Sequence, residues 1–145
     1  MQLFTVRHSG SHFAQRILGC DRWIHADRPD LLTKPTTVLT MRHPMMVAQS
    51  WLKRGRELDQ RFRMEWDNLF HVKQWPNTHW LSVDTEDCRE RLQALSKALG
   101  VHLHTNWQPL NVNTKDCRLH KRGMTLEQAR EWFKTLPFGQ FGYRI

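Results

Sequence analysis

The residues that could do chemistry fall into three polar clusters. Ser9-Gly10-Ser11 follows directly on the apolar, β-prone run 2–6, and beyond it Phe13, Ala14, Ile17 and Leu18 recur at helical spacing until Gly19. A loop between a strand and a helix can aim backbone N–H groups and hydroxyls at an anion resting on the helix N-terminus. Arg7, His8 and His12 flank the step and add donors. The Gly-x-x-x-x-Gly-Lys-Ser/Thr spacing of ATP and GTP enzymes is absent, and no lysine lies in the loop. In the second cluster Arg42 closes the β-branched run 36–41, and Pro44 stands where the first turn of a helix accepts proline. Ser50 comes eight residues after Arg42, about two turns along that helix, so the pair can grip a second phosphate. The third cluster is the late basic triplet Lys121-Arg122-Gly123.

The elements that position these clusters are legible as apolar runs followed by helical periodicity. The runs 2–6, 36–41 and 79–83 read as strands, with Trp23 and Ile24 a further short one. Val47, Ala48, Trp51 and Leu52 give one helical face, and 57–73 repeats Leu58, Phe62, Trp66, Leu69 and Phe70 every three or four residues. Asp84 or Thr85 caps a helix carrying Cys88, Leu92, Leu95 and Leu99, and Thr125 and Gln128 match a capping box before Leu126, Ala129, Trp132 and Phe133. Strands that alternate with helices predict an α/β fold of three layers, a mostly parallel central sheet flanked by helices. Ligands of such sheets sit at the carboxyl ends of the strands. With 145 residues, the chain reads as a single domain, 1–145.

Lys and Arg number 22 against 14 acids, a formal net charge of +8, which favours an anionic partner: a nucleotide, a sulfated or phosphorylated compound, or nucleic acid. No stretch has the length of apolar sequence that a membrane span needs, and the start MQLFTVRHSG lacks the apolar region of a signal peptide, so the expectation is a cytoplasmic protein. Cys20, Cys88 and Cys117 are widely spaced and form no C-x-x-C pair, which argues for reduced, structural thiols. His102-x-His104 lacks a third ligand, and no metal is expected. Core packing is the expected role of Trp51, Trp66 and Trp132, and Lys53, Arg54 and Arg56 read as a solvated helix end.

With both phosphate grips in view, the sequence resembles the sulfotransferase family, whose donor is 3′-phosphoadenosine-5′-phosphosulfate. The family's first signature is a strand followed by Lys/Arg-Ser-Gly-Thr-Thr and often Trp; here His8-Ser9-Gly10-Ser11-His12-Phe13 stands in that place. Its second is a strand ending in Arg-x-Pro with a Ser eight residues after the Arg, matched by Arg42-His43-Pro44 through Ser50. His79 to Asp87, with Leu99-Gly100, resembles a later strand, acidic turn and helix of the family, and Lys121-Arg122-Gly123 looks like a permuted form of its basic triplet. The resemblance implies a P-loop-type fold in which the 8–12 loop, helped by Arg7, holds the 5′-phosphosulfate. Arg42 and Ser50 would hold the 3′-phosphate, Phe13 would stack near the adenine, and residues 121–123 would close over the 3′-phosphate.

The implied reaction is an in-line attack by an acceptor hydroxyl or amine on sulfur, which calls for a general base. His25 and Asp27, between the two motifs, are candidates, as are His8 and His12. The cation that precedes Ser-Gly in the family is replaced by His8, leaving Arg7 or a protonated His8 or His12 to supply charge. Two other readings compete. A nucleotide-dependent kinase would hold magnesium on Asp84 at the end of the 79–83 strand. A catalytically inactive module would use the +8 charge to bind nucleic acid or a protein partner.

Overall fold

A computed structural model describes residues 1–20, 22–84, 88–103 and 123–145 of the chain. Four strands, β1 (Gln2–Thr5), β2 (Trp23–His25), β3 (Thr37–Met41) and β4 (Thr78–Ser82), form one sheet in the order β2-β1-β3-β4, with every pair parallel. Burial follows that order. The central strands β1 and β3 are buried at every position, whereas β2 and β4, at the edges, keep half-buried residues. Continuous apolar runs suit strands covered on both faces, which is why 2–6 and 36–41 stand out in the sequence and 23–25 does not.

The helices are α1 (Ser11–Leu18), α2 (Pro44–Lys53), α3 (Gln60–Lys73), α4 (Cys88–Leu99) and α5 (Leu126–Lys134). Because alternate strand residues face opposite ways, Leu3 and Val38 join Ala14, Ile17 and Leu18 of α1 and Leu92 and Leu95 of α4 in one apolar layer. Phe4 and Leu39 face the other way, into a larger layer built by α2, α3 and α5. The protein is therefore a three-layer α/β structure with an all-parallel sheet among the described residues. Phe62 and Trp66 of α3 pack edge-on or tilted against Trp51, Phe133 and Phe138, so Trp51 and Trp66 are core residues.

Boundaries shift where local chemistry competes with periodicity. Asp59 accepts the N–H groups of Arg61 and Phe62 and caps α3 there, so the helix starts at Gln60 although the apolar repeat begins at Leu58. The tail after α5 contains a single 3₁₀ turn, Phe138–Phe141, whose two Phe side chains are buried. Tyr143 beyond it donates to Asp84, and His43 lies within hydrogen-bond reach of the Arg144 carbonyl, tying the C-terminus to the ends of β3 and β4.

Candidate functional site

Strand order places the site. From β1 the chain crosses to β2 on one side and then to β3 on the other, so the sheet has a switch point between the carboxyl ends of β1 and β3, where open α/β sheets bind ligands. The loop after β1 carries residues 6–10, and Arg42 follows β3 directly. A cleft of about 500 Å³ opens at this point. Arg7, His8, Gly10, Ser11, His12 and Phe13 form one side of its lining; Arg42 and Ser50 contribute from β3 and α2, and Trp23 and His25 from β2. Two more residues, Arg54 and Arg56, come from the end of α2 and the turn after it.

The loop after β1 is built for a sharp turn into α1. His8 has φ 69° and Gly10 φ 82°, two left-handed residues separated by Ser9, whose N–H bonds back to the Val6 carbonyl. Gly10 is needed for its bareness as well, since a Cβ there would lie 2.8 Å from Cγ2 of Val83. Gly10 is the N-cap of α1 and offers no side-chain cap, and the first turn holds no acid. The N–H groups that every helix leaves unpaired in its first turn, here on Ser11 and His12, therefore stay open beside the cleft.

Behind the loop lies a buried charge network. Glu65, fully buried on α3, accepts the Arg7 backbone N–H at 3.1 Å and its guanidinium at 2.5 Å, while the Trp51 indole donates to the Arg7 carbonyl at 3.0 Å. Arg7 also reaches Asp27, which takes a 2.7 Å bond from Arg61. Burial raises the Glu65 carboxyl, and its bonds from Arg7 do not overcome that rise. Burial also pushes Asp27 upward, but the hydrogen bonds from Arg61 and Arg7 outweigh it and the net shift is down. Both acids are thus spent on arginines, and neither lines the cleft.

The two histidines nearest the loop are kept neutral. Burial lowers His8 to about 3, helped by the positive charges of Arg54 and Arg56. His25 is lowered by burial and then by Arg7, with Asp27 opposing. A protonated His8 is therefore not the cation of the loop at neutral pH, and Arg7 is shared with two carboxylates. The free positive charge comes from Arg42, Arg54 and Arg56, which form no ion pair among the described residues.

Several residues singled out in the sequence stand elsewhere. Ser9 is fully buried beneath the loop and off the cleft wall, its hydroxyl without a protein partner among the described residues. Asp27 acts as the ion-pair partner just described. Gly123, with φ 80°, packs against the Leu58 backbone, where a Cβ would come within 2.9 Å; Lys121 and Arg122 lie outside the described residues, as do His104 and Cys117. Asp84, the magnesium candidate, has both oxygens committed, one to the His43 N–H and one to the Tyr143 hydroxyl. Conversely, Arg54 and Arg56, expected as a solvated helix end, are exposed yet form part of the cleft wall. Helical spacing carried that signal for Arg54, four residues after Ser50. Among the described residues no three metal-ligating side chains converge, and no helix is long and apolar enough to cross a membrane.

No protein-family model, curated protein or solved structure matches the chain. The functional reading rests on the cleft and on motif spacing.

Proposed function

We propose that the chain is a sulfotransferase-like protein that binds 3′-phosphoadenosine-5′-phosphosulfate and transfers its sulfuryl group to a hydroxyl or amine. The observation that carries this reading is the meeting, in one cleft at the switch point, of the uncapped α1 N-terminus with Arg42 and Ser50. Two anion grips on one cavity suit a donor with charge at both its 5′ and 3′ ends. A cavity of about 500 Å³ is of the size that holds one such ligand.

In the transfer, the bond from sulfur to the bridging phosphate oxygen breaks with its electron pair leaving on adenosine 3′,5′-bisphosphate, and a new bond forms from sulfur to the acceptor oxygen or nitrogen. The N–H groups of Ser11 and His12 face the charge that grows on the leaving phosphate. Neutral His8 and His25 can each take the acceptor's proton and pass it to water. Burial is the larger cause of the low His8 value, and a bound anion relieves only the part that Arg54 and Arg56 contribute. Asp27, held by two arginines, is the poorer candidate. We read the protein as cytoplasmic, with Cys20 and Cys88 buried in the apolar layer around α1 and α4.

Calorimetry with adenosine 3′,5′-bisphosphate tests the reading, with ATP as competitor. Micromolar binding that depends on the 3′-phosphate is expected, and Arg42→Ala should weaken it about tenfold or more, the worth of one charge-assisted contact. Equal binding of ATP together with an unaffected Arg42→Ala variant overturns it and turns attention to nucleic acid, where affinity would fall steeply with salt.

A further inference from the structure

The residue that joins the two halves of the Arg42–Ser50 grip is His43. It follows Arg42 at the end of β3, and it caps α2, the helix that carries Ser50, by accepting the Met45 N–H on Nδ1 at 3.2 Å. With Nδ1 accepting, the ring proton lies on Nε2, which donates to the Arg144 carbonyl at 2.9 Å. The His43 backbone N–H is taken as well, by one oxygen of Asp84 at 2.8 Å. One residue thus fixes both the chain just after Arg42 and the start of the helix that presents Ser50.

The holds on His43 come from residues far along the chain. Asp84, just past β4, accepts the Tyr143 hydroxyl on its second oxygen at 2.6 Å. Burial, and then the bond to Asp84, raise the Tyr143 phenol above its ordinary range, so it stays a donor. Its ring meets the His43 imidazole edge-on, with centroids 5.5 Å apart. The segment that carries Tyr143 and Arg144 is anchored separately. Phe138 and Phe141 are buried in the larger apolar layer, and Ser82, at the end of β4, donates to the Phe141 carbonyl at 3.3 Å. Neither Asp84, Tyr143 nor Arg144 lines the cleft. Their bonds reach β4, His43 and the start of α2, and none of these bonds touches the β1 loop or α1.

We propose that Asp84, Tyr143 and the Arg144 carbonyl form a brace that positions Arg42 and Ser50 through His43, and so sets the preference for a ligand bearing a 3′-phosphate. The proposal rests on the reading of Arg42 and Ser50 as the 3′-phosphate grip. Two side chains on separate elements hold a phosphate well only when supporting hydrogen bonds keep them within about 0.5 Å of the right spacing. The brace supplies that support from outside the cavity, to one of the two anion grips and not to the other. Charge alone predicts the opposite sign. Asp84 is an anion at the end of the strand beside β3, so its removal would tighten the hold on a phosphate if its only effect were electrostatic.

Calorimetry with adenosine 3′,5′-bisphosphate and adenosine 5′-phosphate, on the full-length chain, tests the brace. Wild type should prefer the bisphosphate, and Arg42→Ala should erase most of that preference. Tyr143→Phe keeps the ring and removes one hydroxyl; it should cut the preference about threefold, and Asp84→Ala about tenfold, with 5′-phosphate affinity in both within about twofold of wild type. Val72→Ala truncates the core beside Thr78, at the opposite end of β4. It should lower Tm and leave the preference unchanged, which separates a lost brace from a general loss of stability. If Asp84→Ala does not fold, the Tyr143→Phe result decides. An unchanged preference in the brace variants, tighter bisphosphate binding in Asp84→Ala, or equal losses for both ligands overturns the brace while the Arg42→Ala result still upholds the grip. A wild type without preference for the bisphosphate brings down the 3′-phosphate reading and the brace together.

Discussion

His8 combines a left-handed backbone with an imidazole that resists protonation, and both properties can be tested at one position. Its pKa of about 3 in the folded chain compares with 6.5 for an ordinary imidazole. Above pH 6.5 both states are neutral there; between 6.5 and about 3 the unfolded chain takes up a proton that the folded chain refuses, so stability drops as the pH falls through that window. His8→Asn keeps a side chain that tolerates positive φ. It should lose less stability than wild type between about pH 7 and about pH 4, read by urea unfolding at each pH; parallel losses would sink the assignment. Glu65 holds the same loop from below. Glu65→Ala leaves the Arg7 guanidinium with Asp27 alone and its backbone N–H without an acceptor, and should cost about 2–4 kcal/mol, visible as a lower denaturant midpoint. Neither role was legible in the sequence. His8 read as a loop donor, and nothing in the apolar periodicity of 57–73 marks Glu65 as the acid that turns inward, because its partner is 58 residues away.

At the scale of elements, the strand–loop–helix unit 2–18 works because one residue lacks a side chain. Gly10 sits at φ 82° with Val83, just beyond β4, packed against its α-carbon. Gly10→Ala brings a Cβ to 2.8 Å from Val83 and strains the turn. It should destabilise the fold by about 1–2 kcal/mol, seen as a lower Tm, and weaken bisphosphate binding about tenfold by tilting the first turn of α1. Val83→Ala in the same chain should recover only part of the Tm, since it removes the clash and leaves the backbone strain. The element itself could be read from Ser9-Gly10-Ser11 and the apolar repeat after it, as could α5 from its capping box, which forms with both hydrogen bonds in place. Strand β2 was only half legible, because an edge strand of three residues buries one position fully and leaves a weak pattern.

For the whole molecule, acids near the cleft are withdrawn behind it while three arginines besides Arg7 line it. Glu65 and Asp27 neutralise Arg7 and Arg61 behind the loop, while Arg42, Arg54 and Arg56 face the cleft unpaired among the described residues. Bisphosphate affinity should therefore fall about tenfold between about 50 mM and about 500 mM salt, with a shallower dependence in Arg42→Ala, measured by calorimetry across the series. A flat dependence would mean that the cleft field does not hold the ligand. The sequence by itself determined the layered α/β class, the β1 loop and the Arg42–Ser50 spacing, because each depends on neighbours within a few turns of the chain. Only the tertiary structure decided which charges are spent and which are free. Pairing Arg7 with Glu65 and Asp27, drawing Arg54 and Arg56 onto the cleft and closing both oxygens of Asp84 against His43 and Tyr143 all join residues far apart in sequence. Their energies depend on burial and distance, which spacing along a chain does not encode.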